Sequence, residues 1–161
     1  MAKRILVPIG DNERAEAIVP VVAALARDGG GTVRLLNVQP LQRTRFDDYA
    51  RRLPLYGYDA GVTLEVQQRV LLYAHAHEER LESETLERLR QLEPLLDGVA
   101  VERTVRFGDV TEEIVREAEA FDADLIAMAT PRPRWLTRRL SGKVARRVFR
   151  RASAPVMLLR A

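Results

Sequence analysis

None of the 161 residues is cysteine, which removes disulfides, thiolate zinc sites and a cysteine nucleophile together. A long hydrophobic run is also missing. The opening MAKRILVPIG places basic residues before an apolar stretch too brief for a signal-peptide core and far too brief to span a bilayer. The chain is therefore expected to be soluble and cytoplasmic. Constellations that carry chemistry are lacking as well, with no nucleophile beside a recognisable base, no paired catalytic carboxylates and no metal-ligand cluster. The only histidines, His75 and His77, are two positions apart on a helical segment and point in different directions, so they cannot share a metal as residues four apart could. The expectation is a non-enzyme with neither catalytic nor metal residues. Internal repeats and low-complexity tracts are absent too.

What is present is the composition of one soluble domain covering 1–161, 47% hydrophobic and 30% charged. The net charge of +3 is unevenly spread. From Arg132 to Arg151 there are nine arginines or lysines and no carboxylate, whereas Glu78 to Asp97 is rich in Glu and Asp. Such asymmetry suits a polyanion, an acidic protein or another copy of the chain, but a solvated helix face is the simpler explanation. Only Trp135 and Phe149 accompany the basic segment, too few for an evident stacking platform, so nucleic acid is not the expected partner.

Hydrophobic periodicity alternates between two kinds. Ile5 to Ile9 is an apolar run of strand length bounded by Gly10. A helix follows, capped by Asp11 or Asn12 and striped by Ala15, Ile18, Val19, Val22, Ala23 and Ala26, with Pro20 awkwardly placed in it. Glycines 29–31 close that helix, and Val33 to Val38 forms the second strand. Gln39 to Thr63, with prolines at 40 and 54, has no clear period and reads as an irregular insertion, either a functional lid or a flexible excursion. From about Leu64 to Leu92 the spacing is helical, with a break near His77 an option and Pro94 as the stop. Val99 to Val105 alternates as a strand, Asp109 or Thr111 caps a helix to about Phe121, and Leu125–Ala129 and Val156–Leu159 complete five strands. Between those last two, Leu136, Leu140, Val144 and Val148 recur every four residues with Ala145 and Phe149 beside them, leaving the arginines on the other face. This alternation predicts an α/β fold, an open and mainly parallel five-stranded sheet with helices on both faces. Ligands of such sheets bind beyond the carboxyl ends of the strands, so the loops after Ile9, Val38, Phe107 and Ala129 are the candidates.

Four blocks, ILVPIGDN, LLNV, FGDVTEEIVREAEAFDADLIAMAT and SGKVARRVFRRASAPVMLLR, together resemble the universal stress protein family, over nearly the whole chain. The resemblance implies an adenine-nucleotide α-hydrolase-like fold and, in the family's ATP-binding members, a glycine, two residues, a second glycine, nine residues, then glycine and a hydroxyl residue. Laid over this chain, those positions fall on Ala129, Arg132, Gly142 and Lys143, followed by Val144. The aspartate expected after the first strand falls on Gly10, with Asp11 one residue late, and Val38 is retained where the family's backbone faces adenine. Arg132 puts a long side chain where backbone should approach phosphate, and Pro131 and Pro133 remove two N–H donors. The resemblance thus implies a non-catalytic regulatory or ligand-binding module of the stress response whose ATP motif is largely lost. The alternative is an ATP-binding switch, with Mg and slow hydrolysis, in which Arg132 and Lys143 hold the phosphates in place of glycine amides. SerGlyLys at 141–143 lacks the earlier glycine and following hydroxyl of a Walker loop and is set aside. In the family the closing strand, here APVMLLRA, pairs with its counterpart in a second chain, which implies a homodimer and covers an otherwise open apolar edge.

Overall fold

A computed structural model describes residues 3–10, 16–40, 60–130 and 143–160, and the side chains of all of these except 60–67 and 70. The chain divides into two compact units, Met1–Pro40 with Leu86–Ala161, and Leu41–Thr85. The first unit holds a five-stranded sheet in the order β3-β2-β1-β4-β5, every adjacent pair parallel. The strands are β1 (Arg4–Pro8), β2 (Thr32–Gln39), β3 (Ala100–Phe107), β4 (Leu125–Thr130) and β5 (Val156–Arg160). The helices are α1 (Val19–Gly29), α2 (Ala60–Arg90), α3 (Val110–Ala120) and α4 (Lys143–Arg151), with a 3₁₀ turn at Glu93–Leu96.

The continuous apolar reading of β1 is explained by burial on both faces. Ile5, Val7 and Ile9 join Val33, Leu35 and the stripe of α1 on one side, together with Leu89, Leu92 and Leu96. Leu6 joins Leu36, Ile126 and Met128 on the other, under Ile114 and Ala118 of α3 and Ala145 and Val148 of α4. Each fully buried aliphatic side chain contributes about 1.5–3 kcal/mol, so β1 is the keel of both clusters.

Pro20 proves harmless because α1 starts at Val19, placing the proline in the first turn where its missing N–H has no partner to lose. Ile18 occupies the N-cap of α1 without a side-chain cap bond. Asp11 and Asn12, the caps expected from the sequence, lie outside the described residues. At the other end Gly30 takes the left-handed conformation, φ 60°, and closes the helix through bonds to Ala26 and Arg27. The capping expected of Asp109 is present, its carboxylate accepting from the N–H groups of Thr111 and Glu112. One boundary differs from the sequence reading. Helix α2 starts at Ala60, inside the stretch assigned as irregular, and runs unbroken past His77, whose neighbour His75 lies 3.3 Å from Glu79. Residues 41–59, the rest of that stretch, lie outside the described residues. On α4 the arginines are exposed as expected, but Phe149 is 64% exposed rather than part of the apolar face.

Candidate functional site

The order of strands reverses direction at β1, since β2 and β3 lie to one side and β4 and β5 to the other. This is the switch point at which parallel sheets open a crevice. The β1–β4 pairing is unusually short, Ile5 with Leu125 and Leu6 with Ile126, although β1 continues to Pro8 and β4 to Thr130. Their amino ends are tied instead by Asp124, whose N–H donates to the Arg4 carbonyl at 2.9 Å and whose Oδ2 accepts from the Lys3 and Arg4 N–H groups, each at 2.9 Å. Those two backbone bonds hold the Asp124 carboxyl below its ordinary value. The two strands are clamped at one end and unladdered at the other.

Of the residues chosen from the sequence, Gly10 follows β1 and Val38 and Ala129 lie near the carboxyl ends of β2 and β4. Gly10 is exposed, two residues beyond β1. Val38 is half-buried near the end of β2, and Val144 is half-buried in the first turn of α4, both packed on the cluster beneath α3 and α4. Ala129 is half-buried in β4 and packs on the opposite cluster. Lys143 is exposed and opens α4. Asp11, Arg132 and Gly142 lie outside the described residues.

Sequence reasoning did not single out Asn37, whose side chain lies beside the end of β1. Its side chain is 1% exposed and Nδ2 donates to the Ile9 carbonyl at 2.7 Å, while its Oδ1 accepts from Gln39 Nε2 at 2.9 Å. An asparagine inside the apolar string LLNV was the available signal, because a buried amide is retained only where its bonds are satisfied. Thr130, at the end of β4, turns its hydroxyl toward the Leu159 carbonyl at 3.4 Å.

A second polar group lies away from the crevice. Glu117, 2% exposed, accepts from Arg34 Nη1 at 2.6 Å and from Arg106 Nε at 2.7 Å, and Arg34 also bonds Glu102 through Nε at 2.8 Å. Burial opposes the charge on Arg34, but the bonds to Glu102 and Glu117 overcome it and push its pKa up. The Arg34 guanidinium lies 4.0 Å from the Phe121 ring centroid. This group joins β2, β3 and α3 and is structural.

The universal stress protein family profile matches residues 1–160. The chain belongs to that family. Universal stress protein G of Shigella flexneri is 28% identical over 99% of this chain and 100% of its own length. Among solved structures, universal stress protein UspA from Lactobacillus plantarum superposes with a TM-score of 0.61 at 17% identity, covering 98% of this chain and 97% of that one. The universal stress protein from Archaeoglobus fulgidus in complex with dAMP gives 0.51 at 21% identity, covering 96% and 95%. These structures share the α/β fold described above. No helix among the described residues of this chain is long and apolar enough to cross a membrane.

Proposed function

We propose that this universal stress protein is a non-catalytic, cytoplasmic regulatory module that binds an adenine nucleotide in the crevice beyond β1 and β4, and that its preferred ligand is a monophosphate. The observation that carries the reading is the two-residue β1–β4 ladder, which leaves the carboxyl halves of both strands outside the pairing at the switch point. The dAMP complex of the Archaeoglobus relative supports the choice of nucleotide. Substitution of Ala129, Arg132 and Lys143 for the glycine and hydroxyl positions argues against a backbone cradle for a triphosphate, because each glycine lost is a close approach lost. A nucleoside with one phosphate needs less of that cradle.

A second reading is an ATP-binding switch with Mg, favoured by Lys143, an exposed cation on the first turn of α4 where a helix N-terminus also attracts anions. Calorimetry with AMP, ADP and Mg-ATP separates the two, after the supernatant of denatured protein has been analysed for retained nucleotide. Micromolar AMP binding at least about tenfold tighter than Mg-ATP is expected. Tighter Mg-ATP binding that falls with Arg132→Ala or Lys143→Ala establishes the switch, and no binding of any adenine nucleotide overturns both.

A further inference from the structure

Helix α4 carries cations without partners. Among the described residues, Arg34, Arg80, Arg90, Arg103, Arg106 and Arg116 each lie against a carboxylate. On α4 Arg151 reaches Glu112 of α3 at 3.7 Å, but Lys143, Arg146, Arg147 and Arg150 are exposed and form no ion pair among the described residues. This arrangement works against the helix. Arg146 with Arg150, and Arg147 with both Lys143 and Arg151, stand four residues apart, the spacing at which like charges repel. Phe149, expected in the core, is 64% exposed beside them and belongs to neither apolar cluster. At about 100° per residue it stands roughly 60° from Arg146 and roughly 100° from Arg150 around the axis, on the opposite flank from Arg151.

We propose that the outer face of α4 binds a single-stranded nucleic acid, with Arg146, Arg147 and Arg150 on its phosphates and the Phe149 ring under one base. An anion on this face relieves the repulsion, and guanidinium groups suit phosphate because they donate two bonds in one plane. Arg146 and Arg150 lie one turn apart, about 6 Å along the axis, a separation that neighbouring phosphates of an extended strand match. An aromatic ring beside such a row gives bases a stacking surface indifferent to sequence. The sequence offered too few aromatics for this, and the exposure of Phe149 supplies the ring. Its position selects a strand over other polyanions. A bilayer is a plane and meets a ring at the centre of a cationic arc, whereas Phe149 stands at the margin. An acidic peptide would use the arginines and leave the ring in water, and a duplex keeps its bases in their own stack. A single strand bends round the helix and takes both.

Fluorescence anisotropy of the full chain with a labelled oligouridylate of about 12 residues, at several salt concentrations, tests the proposal. Replacing both Arg146→Gln and Arg150→Gln should weaken binding at least about tenfold and reduce the salt slope by about 1.4, the share of two phosphate contacts on a single strand. The same double variant should resist urea at least as well as wild type, because it removes like-charge pairs, and this separates lost binding from lost fold. Phe149→Ala should weaken binding about tenfold with the slope unchanged, and Phe149→Trp should retain it. Excess AMP should leave the complex intact. No binding at low salt overturns the proposal and makes the arginines a solvated face. Binding displaced by AMP overturns it in favour of the crevice. Binding that needs the arginines but not the ring overturns the single strand in favour of any polyanion. A Phe149→Ala variant that dissociates a dimer while keeping its affinity for the oligonucleotide gives the ring to a second copy and overturns the stacking role.

Discussion

Glu117 shows how much one side chain can hold. With 2% exposure it compensates two guanidinium groups, one of them on a strand it does not touch in sequence, and it does so from the buried face of α3. Replacing it by alanine removes the shared acceptor but not the cations, and breaking a buried pair costs more than the pair itself contributes. Glu117→Ala is expected to destabilise by about 3 kcal/mol in urea unfolding, the low end of the buried range because Arg106 is half-exposed and Arg34 keeps Glu102. A loss below about 1 kcal/mol would mean that solvent already satisfies both arginines. None of this was visible in the sequence, since Glu117 sits in the string VREAEAF among other acids and only the packing of α3 on β2 and β3 distinguishes it. Asn37 gave only the local signal of one amide in an apolar strand, and its partner, 28 positions earlier, was not legible.

At the level of elements, the amino ends of β1 and β4 depend on a carboxylate. Because the folded pKa of Asp124 is depressed below 3.8, its contribution is fully present above that value and disappears as pH falls through the lower folded value. Asp124→Asn should therefore be less stable than wild type at neutral pH, with the gap closing as the solution is taken below pH 3.8. Denaturation curves across the acid range check this, and a gap that stays constant would remove the carboxylate from the account. The strands and helices themselves were largely legible in advance. Apolar runs flanked by glycine placed β1 and β2, and Asp109 announced α3, because both signals are local. The start of α2 at Ala60 was not, since the prolines and arginines of the preceding stretch obscure any period. Phe149 failed for a related reason: its place on the helix lies at the margin of the buried arc, where one step of rotation decides exposure.

For the whole molecule, the mainly parallel sheet followed from alternation alone, but the strand order, the switch point at β1 that it defines and the two-residue β1–β4 ladder emerge only from the structure. The sheet ends in β5, paired on one side to β4, with Leu158 46% exposed along it. An edge of this kind invites a partner strand, and the partner proposed is β5 of a second copy. Sedimentation at micromolar concentration should give twice the mass of 18.2 kDa, and replacing Leu158 by lysine should shift the population to monomer. A monomeric wild type would exclude the pairing. The clamp at Asp124 has a wider consequence. It secures β1 to β4 at the opposite end of the strands from Ala129, where the first glycine of the signature is replaced. Selection on ligand chemistry and selection on folding therefore act on different ends of the same two strands. On the nucleotide-binding function proposed above, a lineage built this way can change its ligand, one loop residue at a time, without first accumulating surplus stability.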